Sequence, residues 1–189
     1  MLIAFHKPYG IISQFTSDGS KHGTLASFNL PRDVYPLGRL DADSEGLLLL
    51  TNESALNRDL LLPVHRHPRT YHAQVEGIPS QEDMTLLQNG TLIIQEHVVL
   101  PCNAQLIQNP MHQERISSIR KRVHIPDTWL ELTLYEGKNR QVRKMTAAIG
   151  HPTLRLIRVA IGKFLLKDLE PGAWKELDHK ERLLVFERS

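Results

Sequence analysis

The sequence predicts an α+β fold, in which an antiparallel or mixed sheet is flanked by a few helices. Two observations favour this class: several short segments have strand-like composition, and the strict strand–helix–strand alternation of a doubly wound fold is missing. The chain has 189 residues, of which 41% are hydrophobic. That is enough for a core, so we expect one domain over residues 1–189, built from two lobes.

Strands are predicted where β-branched or alternating residues are bounded by Gly, Pro or Asn. They are Leu2 to His6, Leu47 to Thr51, Thr70 to Gly77, Thr91 to Leu100, Trp129 to Tyr135 and Leu154 to Ile161, and Val34 to Leu37 is also strand-like. Helical spacing predicts helices over Glu53 to Leu62, Ser80 to Gln88 and Asn139 to Ile149. The polar, basic stretch from Asn109 to Asp127 contains two prolines and is predicted to be a long loop.

Composition excludes several classes of protein. The only cysteine, Cys102, cannot form an intramolecular disulfide, and the start of the chain does not resemble a secretion signal. Apolar runs such as Leu47 to Leu50 are far shorter than the roughly 20 residues of a membrane span. We therefore expect a cytoplasmic protein that does not enter a membrane. We also expect a monomer. The histidines His65, His67 and His72 have no suitably spaced carboxylate or thiol, so no metal site is predicted.

Positive charge is concentrated in two parts of the chain although the formal net charge is only +2. The region from Lys138 to Lys167 contains basic residues and no acidic ones, and a second cluster lies within the predicted long loop. Segregated positive charge is typical of a polyphosphate partner such as RNA, and a merely solvated face is the alternative. The candidate phosphate-binding residues are Lys138, Arg140, Lys144, Arg155, Arg158, Arg120, Lys121 and Arg122.

The segment from Gly38 to Gly46 places Asp41 in a glycine-bounded loop before a leucine-rich strand. Arg39 stands two residues before Asp41, where a guanidinium would keep the carboxylate ionised as a nucleophile or base. Ordinary turn chemistry is the alternative for an isolated Asp. The alternating acids also imitate a calcium loop, but position 12 of such a loop would be Asn52 instead of Glu. Calcium binding is therefore disfavoured.

Two further segments contain candidate site residues. On the predicted helix after Glu136, Val142 and Met145 share an apolar face, Arg140 and Lys144 lie opposite, and Arg143 falls on the border. Tyr71 lies on a predicted strand on the same face as Ala73 and Val75. Its ring is either core or a platform that stacks on an extruded base.

Taken together, these segments resemble the pseudouridine synthases, in particular the branch that contains the ribosomal RNA enzymes. The stretch from Gly38 to Gly46 is similar to the catalytic motif of that family, and Lys7 to Gly10 is similar to its opening motif. Arg69 to Tyr71 resembles the tyrosine motif, Glu136 to Met145 the third motif, and Leu156 to Gly162 the closing strand. The resemblance covers about residues 3–165, in the order of the family's motifs.

The resemblance implies a pseudouridine synthase fold, with a curved mixed or antiparallel sheet, flanking helices and a central catalytic cleft. It implies that Asp41 enables the isomerisation of uridine to pseudouridine without a cofactor or metal. Arg39 and Arg143 would orient Asp41 and stabilise its charge. Tyr71 would stack on the flipped uracil, with assistance in proton transfer as a second role open to its hydroxyl. Whether Asp41 attacks the sugar, attacks the base or removes the 2′ proton stays open.

The expected substrate is ribosomal RNA. The chain is most similar to the enzymes that modify the 23S RNA of the large subunit, so 23S RNA is the expected target. Naked RNA and a pre-ribosomal particle are the alternative forms of the substrate. Many members of the branch carry an N-terminal S4 domain. The opening motif begins at Lys7, so we expect no S4 domain in this chain. The alternative function is a non-catalytic RNA-binding or ribosome-assembly factor with the same fold.

Overall fold

The computed structural model describes residues 1–56, 60, 66–115, 117–119, 122, 124–167 and 169–187. In chain order the strands are β1 Leu2–Lys7, β2 Tyr35–Pro36, β3 Glu45–Thr51, β4 Arg69–Glu76, β5 Ile93–Ile94, β6 His97–Val98, β7 Asn103–Ile107, β8 Asp127–Leu134, β9 Thr153–Ile161, β10 Phe164–Leu165 and β11 Trp174–Glu176. Among the described residues, the helices whose bounds are defined are α1 Gln81–Gln88, α2 Gln141–Ala148 and α3 His179–Phe186, and a 3₁₀ turn spans Leu25–Phe28. Ala55, Leu56 and Leu60 are also helical.

The chain divides into two compact units. The first unit contains Met1–His67 and Ile157–Ser189, and the second contains Pro68–Leu156. Strand β9 contributes its beginning to the second unit and its end to the first.

The first unit contains a mixed sheet around two apolar strands. Strand β1 is antiparallel to both β3 and β11, β2 is antiparallel to β3, and β3 runs parallel to the end of β9. Every residue of β3 is buried. Continuous burial explains why this strand reads as an uninterrupted leucine run instead of an alternation. Phe5 and Phe28 add a tilted ring contact at 5.1 Å to the core.

The second unit contains an antiparallel sheet with an apolar face covered by helices. Strand β8 pairs along its full length with β4 and also pairs with β7. Alternate residues such as Ala73, Val75, Leu130 and Leu132 form one buried cluster with residues of α1 and α2. The apolar residues of these strands and the apolar residues of α1 and α2 therefore pack together in one core.

Most predicted elements are confirmed. The strands predicted from Leu2, Leu47, Thr70, Trp129 and Leu154 all exist with small shifts of their ends. Helix α1 begins after Ser80 with a capping box between Ser80 and Asp83. Between Ile107 and Asp127 the described residues contain no helix or strand, as predicted for a long loop.

Other predictions were wrong or incomplete. The single strand from Thr91 to Leu100 is a hairpin of β5 and β6, because Gln95 and Glu96 both adopt positive φ and form its turn. Strands β7, β10 and β11 and helix α3 were not predicted. Most of the predicted helix from Glu53 to Leu62 lies outside the described residues. Among the described residues, every helix is too short or too polar to span a bilayer.

Candidate active site

Asp41 lies in the first unit, in the loop between β2 and β3. Its side chain is half-buried, and the turn closes with a hydrogen bond from the Ser44 amide to the Asp41 carbonyl at 3.0 Å. Arg39 is exposed on the same loop. The structure therefore places Asp41 where it combines a fixed backbone with partial access to solvent.

The segment after β1 fixes this loop at two further points. The Ser13 hydroxyl donates to the Leu40 carbonyl at 2.8 Å and accepts from the Leu40 amide at 2.9 Å. The Gly10 amide donates to the Ala42 carbonyl at 2.7 Å. Ser13 is buried. The backbone on both sides of Asp41 is thus held by groups from residues 10–13.

Gly46 fixes the other end of the loop, where β3 begins. Its φ is +103°, and a Cβ at this position would overlap the backbone carbonyl oxygen of Arg158 and lie 2.7 Å from the Arg158 nitrogen. Only glycine permits both the dihedral and this close approach of β3 to β9. Glycine is therefore required at position 46, where the Asp41 loop meets β3, for steric reasons.

Lys7 is a fully buried lysine beneath the same segment. Its Nζ donates to the carbonyls of Pro8 at 2.9 Å and Ile11 at 2.6 Å. Burial lowers the pKa of Lys7 to about 7, although the nearby carboxylates of Glu45, Asp41 and Asp43 raise it. Lys7 thus joins the opening motif electrostatically to the acidic loop.

Tyr71 and Arg143 belong to the second unit. Tyr71 lies on β4 opposite Leu132 of β8 and packs against the buried cluster of this unit, on the same face as Ala73 and Val75 as predicted. Arg143 lies on α2, is half-buried, and donates from Nη1 to the Thr153 carbonyl at 3.3 Å. Tyr71 therefore has the core contact that the sequence left as one of two alternatives.

The turn before α2 is organised by Glu136 and Gln141. Glu136 accepts from the Leu100 amide at 2.9 Å and from Gln141 Nε2 at 2.7 Å, and its other oxygen lies 2.9 Å from His97 Nε2. Gln141 Oε1 in turn accepts from the Lys138 amide at 3.0 Å. Burial raises the pKa of Glu136, but these hydrogen bonds outweigh burial and lower it.

This network presents basic side chains at the surface. Lys138 and Arg140 are exposed, and Arg140 adopts φ +52° just before α2. Lys144 is half-buried and its Nζ donates to Gln95 Oε1 at 2.6 Å. Lys138 and Arg140 are therefore exposed to solvent, and Lys144 must exchange an existing hydrogen bond before it can contact a phosphate.

Arg155 and Arg158 require a correction. The sequence suggested that they bind phosphates, but only 6% and 4% of their surfaces are exposed. Arg155 Nη2 donates to the Gln113 carbonyl at 2.9 Å, and Arg158 Nε donates to the Leu47 carbonyl at 2.7 Å. Because a buried guanidinium in contact with backbone carbonyls cannot meet a docked RNA, we assign both to structural roles.

The long basic loop contacts its own unit at several points. His112 Nε2 lies 2.8 Å from His72 Nδ1, and Arg122 Nε lies 3.7 Å from Glu76 Oε1. Arg122 remains largely exposed. Arg120 and Lys121 lie outside the described residues. In the part of the chain that the structure describes, no three His, Cys, Asp or Glu side chains are grouped to hold a metal ion.

Comparison with known proteins gives the family. The sequence model of the family described as RNA pseudouridylate synthase matches residues 1–148. The chain belongs to this family. The relatives include "Ribosomal large subunit pseudouridine synthase E" of Vibrio vulnificus (strain CMCP6), 48% identical, with 93% of this chain and 74% of the relative covered. The protein of the same name from Xanthomonas campestris is 46% identical over 93% of this chain and 94% of its own length.

Two solved structures share the fold of this chain. A crystal structure of a pseudouridylate synthase covers 97% of this chain and 73% of its own, with a TM-score of 0.76 and 24% identity. An archaeal box H/ACA sRNP Nop10–Cbf5 complex has a TM-score of 0.56 at 15% identity over 89% of this chain and 49% of its own. The predicted α+β pseudouridine synthase fold is therefore confirmed.

Sequence reasoning missed three residues that organise these loops. Ser13 was not singled out because a serine in a loop carries no pattern. Glu136 and Gln141 were quoted within the third motif without a role. Their spacing of five residues around a turn was the signal that could have suggested a side-chain hydrogen bond between them.

Proposed function

We propose that this protein isomerises a specific uridine to pseudouridine in ribosomal RNA of the large subunit, with Asp41 as the catalytic carboxylate. The observation that carries the proposal is the motif loop itself: Asp41 stands in a loop fixed on both sides, in a chain that belongs to the RNA pseudouridylate synthase family. Relatives with about half of their residues identical are named for large-subunit RNA.

The proposed reaction can be carried out by a carboxylate in a fixed position. The bond between the sugar and N1 of uracil breaks, the base turns, and a bond forms from the sugar to C5. C5 then loses its proton and N1 gains one, so the atoms of substrate and product balance. Substrate and product are isomers, so no electrons enter or leave. A carboxylate held in one orientation can act on the sugar or the base during this exchange.

We propose supporting roles for three residues. Arg39 and Arg143 orient Asp41 and stabilise its charge, and Tyr71 stacks on the uracil after the uridine leaves the RNA stack. A Tyr71→Phe variant keeps the ring and a Tyr71→Ala variant removes it. If stacking is the main role, alanine should cost far more uridine turnover than phenylalanine, because only alanine removes the ring. If the hydroxyl assists proton transfer, phenylalanine should also lower turnover.

RNA binding is proposed for the exposed cations. Lys138, Arg140 and Arg122 are exposed, and Lys144 contributes after releasing Gln95. Arg120 and Lys121 immediately precede Arg122 in the sequence. Neutralised phosphates release counterions, so binding must weaken with salt. We propose that a monomer acts on 23S RNA, either naked or within a pre-ribosomal particle, where ribosomes are assembled in the cytoplasm.

The test is to map pseudouridine by carbodiimide modification and reverse transcription. Unmodified large-subunit RNA is incubated with wild-type protein and with Asp41→Asn, which removes one charge and keeps the size. We expect one new stop with the wild type only. If neither naked RNA nor pre-ribosomal particles give a stop, the protein is a binding or assembly factor instead.

A further inference from the structure

We propose that Ser13 is a positioning residue for Asp41: its hydroxyl fixes the peptide plane that carries the catalytic carboxylate. The inference rests on the proposed function, because it assumes that Asp41 acts on uridine. Ser13 lies in none of the motif segments from which the family resemblance was drawn.

The geometry concerns two consecutive peptide planes. The Leu40 carbonyl lies in the same rigid plane as the amide nitrogen and Cα of Asp41. The Ser13 hydroxyl donates to this carbonyl at 2.8 Å, which fixes the plane before Asp41. The Asp41 carbonyl lies in the next plane and accepts from the Ser44 amide at 3.0 Å. With both planes held, φ and ψ of Asp41 are set, and with them the direction of its Cα–Cβ bond, from which the carboxylate extends.

Ser13 also accepts from the amide of the same residue whose carbonyl it binds. The Leu40 amide donates to the Ser13 Oγ at 2.9 Å, so one hydroxyl fixes Leu40 at two atoms. Leu40 is only 7% exposed and Ser13 only 5%. Removing the hydroxyl therefore leaves the amide and the carbonyl of Leu40 without this partner in a buried position, where an unsatisfied polar group is costly.

The segment that contains Ser13 is itself anchored. The Ile12 amide donates to the Gly23 carbonyl at 2.9 Å, and the buried Lys7 Nζ donates to the Ile11 carbonyl at 2.6 Å. The neighbouring Gly10 amide holds the Ala42 carbonyl at 2.7 Å. Because its own segment is held in this way, Ser13 can prevent Leu40 from moving.

Thr51 provides a matched control within the same unit. Its buried hydroxyl donates to the Met1 carbonyl at 2.6 Å and accepts from the Glu53 amide at 3.0 Å. Ser13→Ala and Thr51→Val each delete a buried hydroxyl with one donated and one accepted backbone bond. The two hydroxyls differ in what they hold. Ser13 holds Leu40, the residue before Asp41, whereas Thr51 lies at the far end of β3.

The experiment measures kcat and KM for release of tritium from carbon 5 of uridine in large-subunit RNA, with unfolding followed for each variant. We expect Ser13→Ala to lower kcat about 10- to 100-fold with KM little changed, because small misplacements of a catalytic group cost this much. Thr51→Val should lose stability but keep the wild-type kcat. Equal kcat values for the two variants would overturn the proposal.

Two further variants cover the case in which Ser13→Ala does not fold. Ser13→Cys fills the space with a poor hydrogen-bonding group, and Ser13→Thr restores a hydroxyl; we expect the threonine variant to have the higher kcat. A cysteine variant with wild-type kcat would contradict the role. Asp41→Asn is assayed in parallel: if it stays active, the proposed function fails, whereas an inactive Asp41→Asn with an unaffected Ser13→Ala refutes only the positioning role.

Discussion

The loop that carries Asp41 and the turn that carries Lys138 and Arg140 are held by different chemistry. In the first unit a buried neutral hydroxyl, that of Ser13, and backbone amides fix the loop. In the second unit a carboxylate, Glu136, collects hydrogen bonds from a backbone amide and from Gln141, and exposed cations follow. The first arrangement suits a side chain that must hold one orientation, and the second suits charges that must meet a flexible polyanion.

This difference predicts that the two loops fail in different ways. Changes beneath the Asp41 loop should alter folding and turnover, whereas changes at the Glu136 turn should mainly alter RNA affinity. Each of the following substitutions tests one side of that contrast.

Gly46→Ala should have the largest effect. A Cβ would overlap the Arg158 backbone and the φ of +103° disfavours any other residue, so we expect a loss of about 3 kcal/mol or more in the free energy of unfolding. Gly19→Ala is the control, because Gly19 has a similar φ of +81° but nothing within 4 Å of an added Cβ. Urea unfolding of both variants is the measurement, and equal losses would refute the steric role of Gly46.

Lys7→Met should change the pH dependence of stability. The pKa of Lys7 is lowered from 10.5 to about 7 in the folded protein, so between these values the unfolded chain binds more protons and stability rises with pH. Below that window Lys7 is protonated in both states and the cost of burying its charge is fully present.

We expect this group to contribute a slope of up to about 1.4 kcal/mol per pH unit between about pH 7 and pH 9, where unfolding is readily measured. Lys7→Met should remove that slope, and the exposed Lys21→Met should leave it intact. Urea unfolding across this range is the test. A wild-type slope in Lys7→Met would show that Lys7 is charged throughout.

Glu136→Gln should destabilise the turn before α2 by about 1–3 kcal/mol, because one acceptor oxygen becomes a donor and leaves a partner unsatisfied. The RNA affinity of the Glu136→Gln variant should fall several-fold, while its kcat changes little. Glu131→Gln is a control, since Glu131 is a half-buried carboxylate that also accepts from a glutamine, Gln105 at 2.8 Å, but lies away from the third motif on β8. A larger effect on kcat than on affinity would contradict the contrast between the two loops.

Removing single surface charges should have the smallest effect. Replacing Lys138 or Arg140 by Gln should reduce the slope of log affinity against log salt by about 1 for each lost phosphate contact. When Arg120, Lys121 and Arg122 are neutralised together, we again expect the slope to fall by about 1 for each phosphate contact that is lost. Filter binding at several salt concentrations measures the slope, and an unchanged slope would remove that residue from the RNA surface.

Much of the fold could be predicted from local pattern because the pattern reflects burial. The alternation in the second half of β8 and the leucine run of β3 correspond directly to buried residues, whereas β4 buries the three consecutive residues Ala73, Gln74 and Val75. Strand β11 and helix α3 gave no such signal, since all residues of β11 are exposed and α3 buries only Val185. The hairpin at Gln95 was missed because its turn uses residues other than glycine at positive φ.

The site was predicted only where residue type implies chemistry. Asp41 stands out as a carboxylate in a glycine-bounded loop, but Ser13 acts through its position, which depends on contacts 27 residues away in sequence. Arg155 and Arg158 show the converse, because their charge suggested a surface role that their burial excludes. Side-chain burial on a strand depends on what packs against it, and local sequence does not contain that information.

The central claim is that the Asp41 carboxylate performs the chemistry, and the neighbouring Asp43 allows a close comparison. Both residues are half-buried, both lie in the same loop, and both act electrostatically on Lys7. The direct measurement is the single-turnover rate of tritium release from carbon 5 of uridine in large-subunit RNA, for Asp41→Asn and Asp43→Asn. We predict a loss of at least about 1,000-fold for Asp41→Asn and a rate near that of the wild type for Asp43→Asn. An Asp41→Asn enzyme that turns over as fast as Asp43→Asn would contradict the account.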